Sequence, residues 1–380
     1  MKVTAVICEY NPFHRGHKLQ LDGIKKDNGY VVCIMSGGFV QRGLPALYDK
    51  YARARAAVAE GADLVVELPY PYSCSAAEFF CRGGVSIANS LGIVDELCFG
   101  SESGDVELLG RIGEKLSSPE FIAEMKKTRK DRANKEKPYA VLREEVFRKF
   151  YGESLPTQPN DILGIEYITA LRDLKSNIVP KTYRREKGWS ATESRRLISD
   201  ENSLESIPEN AAVIFEKSDR YYMKNAERAI LSYYRFADAK KLALYDGMTN
   251  GIAERMVKSA LMSTNLEEFS ENVKGKSYTN AKINRCIVNG MAEITPEMLA
   301  QKPLYTQALA FNENGRKLIR QIQKLGKIEL LTKPAHYKKL SENARRQAEI
   351  SNRAESLLTL MCDNAKTADY FVKQSPYIQK

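Results

Sequence analysis

Over its first hundred residues the chain alternates short apolar runs with stretches of helical spacing. Val3 to Cys8 reads as a strand, Asn11-Pro12 as a turn, Gly16 to Ile24 as a helix and Tyr30 to Met35 as the next strand. Arg53 to Glu60 reads as a helix, Asp63 to Leu68 as a β-branched buried strand, Ser75 to Leu91 as a helix and Glu96 to Phe99 as a strand. Strands separated by helices predict an α/β fold with a parallel sheet covered on both faces. Such sheets bind ligands at the carboxyl ends of their strands. Beyond about Asp200 the strand signals fade, and Tyr-, Leu- and Lys-rich helical patterns take over. The expected organisation is a parallel-sheet domain over residues 1–200 and a mainly α-helical domain over residues 201–380. Neither an internal repeat nor a low-complexity tract interrupts this reading.

At 380 residues, with 43% hydrophobic and 28% charged positions, the chain exceeds what one small core organises. No apolar run approaches the ~20 residues that cross a bilayer. Glu9 cuts the apolar start short of a signal-peptide core, so a cytoplasmic location is expected. Seven cysteines (Cys8, Cys33, Cys74, Cys81, Cys98, Cys286 and Cys362) form no CxxC pair, and most are expected as small core residues. The net charge of +10 is unevenly spread. Residues 1–180 carry 24 basic and 24 acidic side chains, and the rest carry 34 basic against 24 acidic, so all of the excess lies in the later part. A polyanion-binding half has this asymmetry, and so does a merely soluble one. Residues 126–137 are a charge run without an apolar face, read as a solvated loop or frayed helix, with a grip on RNA as the alternative.

Only three histidines occur, and two fall in His14-Arg15-Gly16-His17, directly after the first strand. At a helix start, residues three apart share one face, so both imidazoles can address one ligand beside the unbonded N–H groups of the first turn. Those groups and the helix dipole favour phosphate, and Gly16 leaves room for close approach. A capped helix with incidental histidines and a zinc pair completed by Cys8 or Cys33 are the competing readings. A second helix start, Ser190-Ala191-Thr192-Glu193-Ser194-Arg195, fits a capping box, and Ser190, Thr192 and Arg195 also suit triphosphate oxygens. Glu67 at a strand end suits Mg²⁺ or, more simply, a turn before Pro69, and Asn160 reads as a helix N-cap. From Gly315 to Lys327 the pattern is helical, with Arg316, Arg320, Lys324 and Lys327 on one stripe and Leu318, Ile319, Ile322 and Leu325 on a buried one.

The stretch Glu9 to His17 resembles the HxGH element of the nucleotidyltransferase superfamily, and Ser190 to Arg195 resembles its SxTxxR element. Ser36-Gly37-Gly38-Phe39-Val40-Gln41-Arg42-Gly43-Leu44-Pro45-Ala46, Asp63 to Pro69, Phe99-Gly100-Ser101-Glu102 and Pro159 to Tyr167 resemble the tRNA(Met) cytidine acetate ligase family. The likeness is dense over residues 1–200 and thinner beyond. It implies a Rossmann-like nucleotidyltransferase domain followed by a basic, tRNA-binding helical one. It further implies ATP held along Ile7, Asn11, Pro12, Phe13, His14, Gly16, His17 and Gln20. Gly100 and Asn160 would line the nucleotide pocket, and Arg184 or Arg185 would touch the nucleotide. Under this resemblance His14, His17, Ser190, Thr192 and Arg195 are the catalytic candidates and Arg316, Arg320, Lys324 and Lys327 the tRNA-backbone contacts. ATP and Mg²⁺ are the expected cofactors, acetate and elongator tRNA(Met) the expected partners, and neither DNA nor membrane is expected. Acetate would be activated as acetyl-adenylate and passed to N4 of the wobble cytidine. The alternatives are a nucleotidyltransferase adenylylating a small phosphometabolite and a catalytically silent nucleotide-sensing RNA-binding protein.

Overall fold

The structure is a computed structural model and describes residues 2–26, 29–131, 137, 139–184, 188–248, 251–275 and 278–379. In the first part, β1 (Val3–Cys8), β2 (Tyr30–Ser36), β3 (Leu64–Leu68), β4 (Glu96–Ser101) and β5 (Val179–Arg184) alternate with seven helices. These are α1 (Arg15–Lys25), α2 (Lys50–Ala59), α3 (Ala77–Ser90), α4 (Val106–Leu116), α5 (Pro119–Lys130), α6 (Tyr139–Tyr151) and α7 (Pro159–Asp173). There follow α8 (Ala191–Asp200), α9 (Glu209–Glu216), α10 (Glu227–Phe236), α11 (Ala239–Leu242), α12 (Ile252–Met262), α13 (Leu266–Val273), α14 (Asn280–Ala292) and α15 (Pro296–Ala300). The chain closes with β6 (Tyr305–Phe311), α16 (Glu313–Leu325), β7 (Glu329–Leu331), α17 (Glu342–Leu358) and β8 (Tyr377–Ile378).

Among the described residues eight strands join one sheet in the order β5-β4-β1-β2-β3-β6-β7, with β8 beside β6. Strands β1 to β5 run parallel, as the apolar runs of β1 to β4 predict, because a strand covered on both faces has no wet side to alternate with; the edge strand β5 is only partly buried and carries no such run. Successive side chains feed opposite cores. Val3, Ala5, Ile7, Val32, Ile34, Leu64 and Val66 pack with Val85 of α3, Ile165 of α7 and Leu318 of α16. Val6, Val31, Cys33, Met35 and Val65 pack with α2 and with Ile230, Met256, Ile287 and Leu358 from the helical half.

The α/β expectation holds, and helices dominate beyond residue 200, but strands return there. β6 pairs antiparallel with β3, and Thr306 Oγ1 donates to the Glu67 carbonyl at 2.6 Å. The later half therefore completes the sheet of the earlier one.

Helix α16 exposes Arg316, Arg320 and Lys324, while Lys327 lies just past its end. Leu318, Ile319 and Ile322 are buried as expected, but Leu325 is 61% exposed, which corrects its assignment to the buried stripe. The helix stops there at Gly326, so its final leucine has no facing layer. Asn312 N–H bonds the Asp63 carbonyl at 3.1 Å and Lys327 N–H the Ser90 carbonyl at 2.8 Å. These anchors set α16 at the amino ends of the central strands.

Six of the cysteines are buried, Cys8 is half-buried and all seven are unpaired. The charge run begins on α5, which extends to Lys130, and residues 132–136 lie outside the described residues. Among the described residues no helix is long and apolar enough to cross a membrane.

Candidate active site

A cavity of about 530 Å³ opens at the carboxyl ends of β1 and β4, and every residue lining it lies between Val6 and Arg195. Helix α1 starts at its floor with a reciprocal cap. Gly16 N–H donates to His14 Nδ1 at 3.1 Å, and His14 N–H donates to His17 Nδ1 at 3.1 Å. The two rings stack with centroids 3.7 Å apart. A ring nitrogen that accepts a hydrogen bond carries no hydrogen, so both neutral imidazoles hold theirs on Nε2. Capping, the competing reading, is thus real. It also fixes each imidazole as an Nε2–H donor at a helix N-terminus, an arrangement that suits an anion.

The second helix start meets the first across the cavity. Ser190 caps α8, its Oγ accepting from Glu193 N–H at 3.1 Å. The predicted capping box is only half formed, because the Glu193 carboxylate turns to Arg196 instead. Arg195 reaches back one turn to Thr192 Oγ1 at 3.2 Å and across to the Asn11 carbonyl at 2.6 Å. Burial lowers the Arg195 guanidinium from its ordinary range while Glu9 acts in the opposite direction; a guanidinium remains cationic under such opposition.

Asn160 is not the N-cap of α7. Gln158 holds that position, Pro159 opens the helix, and Asn160 Nδ2 donates to Glu102. Beside it the buried Asp161 accepts from Ser101 Oγ and from the N–H groups of Glu102 and Ser103, both near 3.1–3.2 Å. Asp161 thereby shapes the turn after β4 next to Gly100. A single carboxylate behind an Asn offered no periodic signal, so sequence reasoning passed over it.

Of the expected nucleotide residues, Ile7, Asn11, His14, Gly16, His17, Gln20, Gly100 and Asn160 line the cavity, as do Ser190, Thr192 and Arg195. Pro12 and Phe13 do not. Phe13 is fully buried, with its ring centroid 4.7 Å from that of Tyr10. Arg184 ends β5 on an exposed position away from the lining, where Tyr183 stands instead. Arg185 lies outside the described residues. Glu9, Gln41, Arg42, Tyr183 and Trp189 line the cavity without having been singled out. Trp189 sits at the rim, with the Arg15 guanidinium 5.9 Å from its ring centroid.

Beneath the cavity lies a buried ionic layer. Arg53, fully buried, donates to the carbonyls of Tyr48, Glu9 and Gly37 at 2.9, 2.6 and 2.5 Å and so ties the ends of β1 and β2 together. Lys50 Nζ lies 2.9 Å from Glu67 and 3.4 Å from Glu355 of α17. Burial by itself disfavours the Lys50 charge, but Glu355 and Glu67 outweigh it and hold the ammonium above its ordinary pKa. Glu67 is therefore a counter-ion for Lys50, not a turn residue or an Mg²⁺ ligand. Among the described residues no group of three or more His, Cys, Asp and Glu forms a metal cluster, which leaves the zinc reading without ligands.

Residues 1–371 match the family model described as HIGH Nucleotidyl Transferase. A tRNA(Met) cytidine acetate ligase of Acetivibrio thermocellus is 32% identical, with 96% of each chain covered. One from Thermosipho africanus is 34% identical, covering 92% of this chain and 89% of its own. The crystal structure of Thermotoga maritima TmcAL bound with alpha-thio ATP superposes with a TM-score of 0.91 at 27% identity, covering 100% of this chain and 99% of that one. Its apo form gives a TM-score of 0.89 at 26% identity.

Proposed function

Because the chain belongs to the HIGH nucleotidyl transferase family, among its tRNA(Met) cytidine acetate ligases, we propose that it joins acetate to tRNA(Met) at the expense of ATP. In this reading the cavity takes ATP, as the relative from Thermotoga maritima takes its thio analogue. Acetate has no leaving group, so an oxygen of acetate attacks the α-phosphorus, forming a P–O bond as the bond to pyrophosphate breaks. The product is acetyl-adenylate. N4 of the wobble cytidine then attacks the acetyl carbonyl, AMP departs and N4-acetylcytidine remains. The wobble base reaches the cavity by leaving its loop stack.

The observation that carries this reading is the pair of imidazole donors locked at the start of α1 opposite Thr192 and Arg195. Donors fixed where charge accumulates on the α-phosphate stabilise the transition state without reorganising. Gly100 and Asn160 face the nucleoside, and Ser190, Thr192 and Arg195 the outer phosphates. Among the described residues Glu9 and Glu102 are the carboxylates lining the cavity, too few for a protein cage around Mg²⁺. The cation would enter on the triphosphate, where it neutralises phosphate charge.

The proposed division of labour assigns ATP chemistry to residues 1–200, which supply the cavity lining among the described residues, and tRNA binding to residues 201–380, which carry 28 basic against 21 acidic side chains. With ATP, labelled acetate and elongator tRNA(Met), label is expected in the tRNA without acetyl-CoA. Transfer from acetyl-CoA and none from acetate would overturn the proposal.

A further inference from the structure

The acetyl transfer proposed above needs an acceptor for the proton that the cytidine amine sheds. We infer that Glu9 is that acceptor, an assignment that rests on the ligase reading. Glu9 follows the last residue of β1, lines the cavity, and its Oε1 accepts from Gln41 N–H at 2.8 Å on the loop after β2. In the sheet β1 lies between β4 and β2. Gly100 and Asn160 stand on the β4 side, whereas the bond from Gln41 N–H turns the Glu9 carboxylate toward the β2 side, where Gln41, Arg42, Leu44 and Pro45 form the wall available to a second substrate.

Among the described residues, the other groups lining the cavity are poor proton acceptors. His14 and His17 already commit Nδ1 to backbone N–H groups, and their Nε2 atoms carry hydrogen. Glu102 is engaged by Asn160 Nδ2 and by Asp161 N–H at 3.1 Å. Arg42 and Arg195 are cations. Burial pushes the Cys8 thiol and the Tyr10 and Tyr167 phenols upward and keeps them neutral. Tyr183 brings a phenolic O–H. Glu9 combines the two properties a base needs. Burial raises its pKa and so strengthens it as an acceptor, while Gln41 N–H and the charges of Arg195, Arg53 and Arg42 favour the carboxylate and oppose that rise.

The step balances. N4 forms a bond to the acetyl carbon, the bond from that carbon to the AMP oxygen breaks, AMP leaves with the electron pair, and the N4 proton passes to the Glu9 carboxylate.

Glu9→Gln keeps an oxygen for Gln41 N–H and removes the base. Two measurements on the full chain test it: acetate-dependent exchange of pyrophosphate into ATP, and transfer of labelled acetate to elongator tRNA(Met). Exchange is expected within a few-fold of wild type and transfer lower by about 10²-fold, the lower end of what a positioned general base contributes. Glu9→Asp should recover part of the transfer. Undiminished transfer in Glu9→Gln overturns the assignment alone, as does an equal loss of exchange and transfer, which would place Glu9 with the nucleotide. Absence of acetate-dependent exchange in the wild-type chain overturns the ligase reading and this assignment with it.

Discussion

His14 illustrates how one side chain serves structure and chemistry at once. It is 1% exposed, caps α1 through Gly16 N–H and stacks on His17. His14→Ala is expected to lower stability by about 1 kcal/mol through the lost cap. It should also reduce acetate-dependent pyrophosphate exchange by about 10²-fold or more through the lost donor. A thermal melt and the exchange assay separate the two effects. His17→Ala leaves His14 N–H without its acceptor and should show the same pairing of losses. The histidine pair was readable because histidine is rare here and the i, i+3 spacing is local. Glu9 and Asp161 were not, since their meaning comes from partners 32 and 59–60 residues away.

Two assemblies of secondary structure carry separate predictions. The Lys50–Glu67–Glu355 layer joins α2, β3 and α17 beneath the cavity loop, and Gly38 N–H donates to Glu355 Oε1 at 3.0 Å. Lys50→Met strands two buried carboxylates, and removing one partner of a buried ion pair costs about 3–5 kcal/mol. The urea unfolding midpoint should drop accordingly, and Glu355→Gln should cost less because it leaves Lys50 paired with Glu67. The second assembly is α16. Its basic residues are exposed at the end of the sheet away from the cavity, so any tRNA contact there concerns the phosphate backbone and not the reacting base. Arg320→Ala with Lys324→Ala should weaken tRNA binding, flatten its dependence on salt and leave ATP affinity unchanged. Equal tRNA affinity at several salt concentrations would remove the stripe from the interface.

Taken whole, the chain is less divisible than its patterning suggests. β6 extends the sheet of the first half, Gln307 Nε2 donates to Tyr51 Oη at 3.0 Å, and Gly315 packs so closely that a Cβ there would lie 2.0 Å from the Asp63 carbonyl. A chain ending at residue 304 loses β6, α16 and Glu355 together. It is expected to expose the edge of β3 and to lack a cooperative thermal transition; a sharp melt with retained ATP binding would contradict this. What the amino-acid order determined unaided was local: the apolar runs of β1 to β4, the helix starts at His14 and Ser190, and the charge imbalance, each written within a few neighbouring positions. What only the folded chain decided was everything requiring distant partners. Asn160 turned from cap to Glu102 partner, Glu67 became the counter-ion of Lys50, Leu325 lost its cover, and Tyr305–Phe311 became a strand, because only the tertiary structure supplies the sheet edge and counter-charges that those residues meet.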